Sequence, residues 1–216
     1  MITDTTTPIA ASSRLSPHRV LAEPLLQFGP VRSATGTHPL RGLVQHGPYS
    51  RAAFGDGPVR VAIVTTRDLD RRLRDFLGRL RDAHEPTDRR KYVPPYPGFR
   101  QIYGVDLVPA GPTARIFLDQ DLANGENRHQ AIAAALSSAV RALNGVRSQW
   151  DVLVILLPAA WQRWKTSADR RLDLHDHLKA TAAPLGLPTQ LLWENGALAF
   201  RYQCSLAWRL SIAAIR

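Results

Sequence analysis

The chain has 216 residues, a formal net charge of +10 at pH 7 and 44% hydrophobic residues. This length suits one hydrophobic core with short extensions, and the hydrophobic content excludes a disordered basic protein. A single cysteine, Cys204, excludes an internal disulfide framework and a cysteine-based zinc site, and no apolar run reaches the roughly 18 residues that a membrane-spanning helix needs, so a cytoplasmic protein is expected.

The first 58 residues lack a periodic apolar pattern. Residues 1–20 are rich in Thr, Ser and Pro and are predicted to be a flexible tail, because they hold too few large apolar side chains to offset the entropy of ordering. In residues 21–58, Gly and Pro interrupt the apolar runs every few residues. This punctuation predicts an extended lead-in segment with turns and without a helix.

Strand and helix patterns alternate from residue 59 onward. Mostly β-branched or leucine-rich runs predict strands at 59–66, 114–119, 151–157 and 189–194, with one more short strand within 100–108. Apolar stripes at helical spacing predict helices at 68–84, 127–143 and 172–183, the second of which is stopped by Asn144-Gly145. The alternation predicts a Rossmann-like α/β domain over residues 59–200, with a mostly parallel central sheet and helices on both faces.

In such a sheet, ligands bind beyond the carboxyl ends of the strands. Four loops of this chain are therefore expected to line a binding site, and they follow Thr66, Asp119, Leu157 and Glu194. The residues between 159 and 171 are predicted to be a polar loop.

The strongest enzymatic signatures are absent from the sequence. There is no phosphate-binding G-x-x-x-x-G-K-[ST], no G-x-G-x-x-G after a strand and no G-x-S-x-G. His175-Asp176-His177 resembles a fragment of a metal site, but neighbouring residues of a helix point in different directions, so the three are not expected to bind one ion. A small α/β hydrolase or transferase that uses His175 or His177 with Asp173 or Asp176 is an alternative for which the sequence shows no nucleophile.

The positive charge makes a polyanion the first partner to consider. Neutralising phosphates releases counterions and gives affinity that does not depend on base sequence. Twenty-five of the 28 basic residues are Arg, so drift from Lys to Arg codons in a GC-rich genome is an alternative reason for their number. Lys179 is then a more informative cation, because it is one of only three lysines, with Lys91 and Lys165, where such drift would favour Arg.

Three residues in the last third of the predicted domain can act together on a phosphate. His175 and Lys179 lie one turn apart on one face of the predicted helix, and Gln190 begins the next strand after a short turn. An ammonium binds phosphate as a compact charge, and an imidazole donates a hydrogen bond to phosphate or stacks on a base. A solvated helix face beside a strand-edge glutamine is the alternative interpretation.

The sequence around these three residues resembles that of a known protein family. SADRRLDLHDHLKATAAPLGLPTQLLWE, which follows the DVLVILLP strand, resembles the pocket for the guide 5′ end in the MID domain of Argonaute proteins. Upstream, PLLQFG, HPLRGLVQHGPYS and VRVAIV are similar to the segment that leads into MID in prokaryotic Argonautes. The resemblance covers residues 21–216.

The resemblance implies a role for each matching residue. Lys179 and Gln190 would hold the 5′-phosphate of a guide RNA or DNA, and His175, at a position that is often Tyr in the family, would contact the first base or its phosphate. The loop over residues 159–171, with Trp161, Trp164 and Lys165, corresponds to the region that senses the first base. The implied function is binding without catalysis.

The resemblance also implies partners. Residues 201–216 correspond to the first helix of a PIWI domain, whose catalytic remainder is not in this chain. A chain that begins almost directly with MID resembles the short prokaryotic class, which acts in defence against foreign nucleic acid together with an effector subunit. No cofactor is expected within the chain, and Mg²⁺ that bridges guide phosphates would fit the family. A non-catalytic protein-docking domain is a further alternative.

Overall fold

The computed structural model describes residues 24–48, 57–86, 93–167 and 172–197. The predicted tail over residues 1–20, the predicted PIWI helix over residues 201–216 and Cys204 lie outside the described residues. The described part has an α/β fold, with a five-stranded parallel sheet and helices on both faces.

The lead-in segment contains a helix, which corrects the prediction of extended chain over residues 21–58. A short antiparallel ribbon, β1 (Leu26–Gln27) and β2 (Thr35–Gly36), precedes helix α1 (Pro39–His46). Pro39 is the first residue of this helix, where a backbone N–H would have no acceptor within the helix. Proline is therefore compatible with the helix at this position. Within α1, the ring of Phe28 packs where a Cβ atom of Gly42 would lie, so glycine is required there.

The sheet is organised around its central strand. Strand β3 (Val59–Thr66) is followed in the chain by β4 (Leu107–Pro109), β5 (Arg115–Leu118), β6 (Val152–Leu157) and β7 (Thr189–Trp193). Along one edge of β3, β4 pairs with its first residues and β5 with its last four, and a helical turn at Pro112–Ala114 separates the two. The other edge of β3 pairs with β6, and β6 pairs with β7. Four of the predicted strands are thereby confirmed.

The region predicted as one short strand within residues 100–108 divides into a helix and a strand. Helix α3 (Phe99–Tyr103) comes first, because Phe99, Ile102 and Tyr103 lie at helical spacing and are all buried. Gly98 precedes the helix with a φ of 99°, and a Cβ atom there would lie 2.3 Å from the carbonyl oxygen of Arg81. Only the last part of the predicted strand, in β4, pairs with the sheet.

The longer helices follow the predicted apolar stripes. They are α2 (Asp70–Arg79), α4 (Arg128–Asn144) and α5 (Leu174–Ala182), and a short α6 (Glu194–Ala197) follows β7. Helix α2 is shorter than the predicted 68–84, because the backbone of His84 pairs with that of Tyr96 instead. Among the described helices, none is both long and apolar enough to cross a membrane.

Alternate residues of the strands point into two separate cores. Val61, Ile63, Val154 and Leu192 pack with side chains of α2 and α3 on one face. Ala62, Val64, Leu153 and Leu191 pack with side chains of α4 and α5 on the other face. This two-sided burial explains why the central strands are continuously apolar.

Candidate phosphate-binding site

Helix α5, which carries His175 and Lys179, begins at a carboxylate cap. One oxygen of Asp173 accepts the backbone N–H groups of His175 (2.9 Å) and Asp176 (3.3 Å), and the other accepts the hydroxyl of Thr166 (2.9 Å). Burial raises the pKa of Asp173, but these hydrogen bonds outweigh burial, so its pKa lies below the usual value. The cap fixes where α5 begins and therefore where its polar side chains project.

Lys179 extends from α5 to the amino end of β7. Its ammonium donates to the backbone carbonyl of Thr189 and to Thr189 Oγ1, the latter at 3.2 Å. Both acceptors are neutral, and no ion pair involves Lys179 within the described residues. Burial lowers the pKa of Lys179. Lys179 is therefore a half-buried cation without a counter-ion among the described residues, which is an arrangement suited to binding an anion.

Gln190 lies on the opposite side of β7 from Lys179. Thr189 and Leu191 face α5, whereas Gln190 shares the other face with Leu192. The amide of Gln190 donates to the backbone carbonyl of Leu191 at 3.1 Å. The structure therefore brings Lys179 to Thr189 and not to Gln190. Strand alternation in the sequence predicts that Thr189 and Gln190 lie on opposite faces, but it does not show which of the two faces α5.

His175 is accessible on the first turn of α5. Its side chain is 57% exposed, and its Nδ1 lies 3.2 Å from a carboxylate oxygen of Asp176, which is 83% exposed. Lys179 follows one turn later on the same helix. Their spacing puts both residues on one side of α5, and the carboxylate of Asp176 lies next to the imidazole.

The His175-Asp176-His177 sequence does not converge on one ion, as the helical spacing predicts. His177 turns to α4, where its Nε2 lies 2.7 Å from Ser137 Oγ. Asp173, His175 and Asp176 each place one ligand atom within 4.8 Å of the others. Both oxygens of Asp173 already accept hydrogen bonds in the helix cap, which leaves one carboxylate and one imidazole. This set does not fit Mg²⁺, which favours six oxygen ligands.

The contact between Ser137 and His177 is the nearest approach to the nucleophile that the hydrolase alternative requires. Ser137 lies in the middle of α4, where backbone N–H groups are used within the helix and cannot stabilise an oxyanion. The residue is only 8% exposed, which leaves little of it accessible to a substrate. Ser137 also lies 3.4 Å from the hydroxyl of Thr181. These groups form a polar contact between α4 and α5.

The predicted polar loop after β6 begins as a turn of 3₁₀ helix at Ala159–Trp164. Trp161 is 4% exposed and belongs to the core beneath α4 and α5, so it offers no ring face to a base. Trp164 is half-buried, and the guanidinium groups of Arg128 and Arg163 lie over its ring. Lys165 is exposed, and its carbonyl accepts the N–H of Leu174 at 2.7 Å. Of the three residues predicted to contact the first base, only Trp164 and Lys165 have accessible side chains, and both lie near the start of α5.

The carboxyl ends of the strands are less suited to an anion. One oxygen of Glu194 pairs with Arg72 of α2, and the other accepts the N–H of Ala159 at 3.2 Å, so a carboxylate of the protein already satisfies that donor. A cleft of about 440 Å³ opens beside Arg67 and Phe117, but Asp119 and Asp121 line it as well. Their charge opposes phosphate, whereas Lys179 has no carboxylate partner in the part of the chain described.

Comparison of the sequence with protein-family models found no match, and comparison with curated proteins found none either.

Proposed function

We propose that this chain binds the 5′-phosphorylated end of a guide RNA or DNA strand, as its resemblance to Argonaute MID domains implies. The observation that supports the proposal best is Lys179, whose ammonium is half-buried and, among the described residues, bound only by neutral oxygens. A terminal phosphate carries close to two negative charges at neutral pH and supplies the missing counter-ion. The net charge of +10 favours the same class of ligand.

In this proposal the residues have unequal roles. Lys179 binds the phosphate, with the hydroxyl of Thr189 beside it, and His175 contacts the first base or its phosphate. Gln190 contributes less, because its side chain starts from the other face of β7. Any Mg²⁺ would be held mainly by the phosphates of the guide, since the side chains at the start of α5 do not form a magnesium site.

The proposal places the chain in the cytoplasm, as a binding module without catalytic activity of its own. A PIWI half and an effector subunit would complete a system for prokaryotic defence. Lys165 and Trp164 would lie near the first base, and Trp161 would support them from the core.

Fluorescence anisotropy with one short strand tests the proposal. We expect the 5′-phosphorylated form, as RNA or DNA, to bind at least tenfold more tightly than the 5′-hydroxyl form at fixed salt, which corresponds to about 1.4 kcal/mol. Lys179→Ala removes this preference. Arg79→Ala, which deletes one exposed cation from α2 on the other face of the sheet, keeps it.

Three other outcomes would contradict the proposal. Equal affinity for both ends that is indifferent to Lys179 and falls steeply with salt would identify a general basic binder. Turnover of the strand would favour the enzyme alternative. Failure to bind either strand would favour the protein-docking alternative.

A further inference from the structure

A cleft opens at the carboxyl ends of β3 and β5, where an α/β sheet ordinarily binds a small ligand. Its volume is about 440 Å³, and its lining includes Arg67, Asp119 and Asp121, which are all exposed. Lys179 contacts Thr189 at the opposite end of the sheet, where β7 begins. The cleft is therefore separate from the candidate phosphate-binding site.

An apolar groove continues the cleft along helix α4. The groove has a volume of about 350 Å³ and shares Phe117, Leu118 and Asp119 with the cleft. It is open because β5 pairs only with β3 among the described residues and because α4 presents small side chains on this side. Most of its walls come from Ile116, Leu118, Leu122, Ala135, Ala139 and Ala142. An apolar group that enters from the cleft can occupy this groove.

The cleft carries charges of both signs that do not pair with one another. In the part of the chain that the structure describes, no ion pair involves Arg67, Asp119 or Asp121. Asp119 Oδ1 accepts the backbone N–H of Asp121 at 3.0 Å, and Asp121 Oδ1 accepts the side-chain amide of Asn124 at 2.7 Å. These bonds fix both carboxylates and leave the second oxygen of each for a cationic ligand group.

The guanidinium of Arg67 is held through its face. Its central carbon lies 4.9 Å from the centre of the Phe117 ring. Stacking of this kind uses the face of the guanidinium, whereas its N–H donors lie in the plane and remain available. Two parallel N–H groups match the two oxygens of a carboxylate. Arg67 is therefore suited to a carboxylate ligand, and the two aspartates are suited to an ammonium.

We propose that the cleft and the groove together bind a free α-amino acid with an apolar side chain. The carboxylate of the ligand pairs with Arg67, its ammonium pairs with Asp119 and Asp121, and its side chain enters the groove between β5 and α4. A ligand with one charge leaves the opposite charge of the cleft without a partner, which favours the zwitterion. This inference is independent of the proposed function, because it uses no residue of the candidate phosphate-binding site.

Isothermal titration calorimetry of the full chain at neutral pH tests the inference with four probes. L-leucine has all three features, whereas leucinamide lacks the carboxylate, 4-methylpentanoate lacks the ammonium and glycine lacks the side chain. We expect leucine to bind saturably and at least about tenfold more tightly than each of the others, since each lacks one charged hydrogen bond or the apolar contact.

Variants of the cleft assign each preference to its residue. Arg67→Gln should lose the preference for leucine over leucinamide. Asp119→Asn/Asp121→Asn should lose the preference for leucine over 4-methylpentanoate, while the amide oxygens can still accept the two internal hydrogen bonds. Ala142→Phe, at an exposed position on the groove, should weaken leucine and leave glycine unchanged.

The matched control is Asp75→Asn/Arg79→Gln, which removes one charge of each sign from exposed positions on α2. It should bind leucine as tightly as the unmodified chain. Leucine at saturation should also leave the preference for a 5′-phosphate unchanged, because the two sites lie at opposite ends of the sheet.

Three results would overturn the inference. The first is the absence of saturable binding of leucine, and the second is an equal loss of affinity in the α2 control. The third is equal affinity for leucinamide and leucine that is indifferent to Arg67, which would assign the cleft to the amino terminus of a peptide. If leucine binds as expected but the 5′-phosphate preference is absent, the proposed function fails and the amino-acid site stands.

Discussion

Lys179 is the side chain whose protonation state matters most at the proposed site. Burial lowers its pKa from the usual value near 10.5, because the ammonium loses hydration that no carboxylate of the described residues offsets. Above that lowered pKa the side chain is a neutral amine, which attracts phosphate weakly. We therefore predict that the affinity for a 5′-phosphorylated strand is constant near neutral pH and declines at a lower pH than an exposed lysine would give. Anisotropy titrations across the alkaline range measure this decline.

The variant Lys179→Arg serves as the control for this titration. A guanidinium keeps its charge throughout the accessible pH range, so the phosphate preference that it retains should not decline at alkaline pH. The 5′-hydroxyl strand corrects for titration elsewhere in the protein. The same alkaline decline in Lys179→Arg would contradict the assignment to Lys179.

The sequence predicts those residues of the site that are related by local helical spacing, and it misses those whose position depends on long-range packing. His175 and Lys179 are related by helical spacing, which is local and visible in the sequence. The partner of Lys179 depends on which face of β7 is covered by α5, and long-range strand pairing determines that face. Thr189 was therefore missed. The burial of Trp161 likewise follows from tertiary packing, which its position in a polar stretch does not reveal.

At the scale of the element, the cap of α5 controls the geometry of the site. Asp173→Ala should lower the free energy of unfolding by about 1 kcal/mol, because two backbone N–H groups at the helix start lose their acceptor. Asp173→Asn should retain most of the stability, since its amide oxygen can still accept. Urea unfolding measures both. Asp176→Ala, at an exposed position of the same turn, is the matched control and should change stability little.

The contribution of Asp173 also depends on pH. Its pKa in the folded protein is lowered, so its stabilising effect is fully present above the pKa of an unfolded aspartate and is lost as the pH falls through the lower folded value. The difference in unfolding free energy between the unmodified chain and Asp173→Asn should therefore shrink in acid. A constant difference would show that the charge is not involved.

The sequence predicts best those elements whose buried residues form a continuous or periodic apolar pattern within the element itself. Strands β3 and β6 are continuous apolar runs, and α4 has a long apolar stripe. The short helices α1 and α3 were missed, because their apolar residues lie among Gly and Pro. Helix α1 is held by contacts beyond its own span, such as that of Phe28 with Gly42.

For the whole molecule, stability should be greatest in the middle of the sheet. Strands β3 and β6 pair along both edges and are buried on both faces, whereas the ribbon of β1 and β2 has two residues in each strand. We predict that amide hydrogens of β3 and β6 exchange only through global unfolding and that those of the ribbon exchange by local opening. Hydrogen exchange followed by mass spectrometry measures this order. Equal protection of the two regions would contradict it.

The division of one edge strand into β4 and β5 affects how copies of the protein meet. An uninterrupted edge strand presents a regular row of free N–H and C=O groups, onto which a strand of another molecule can add. Here Pro109 and Pro112 lack the N–H donor, and the helical turn between the strands breaks the row. This edge is thereby protected against edge-to-edge aggregation, because β4 and β5 do not offer the regular row onto which a strand of a second copy would add.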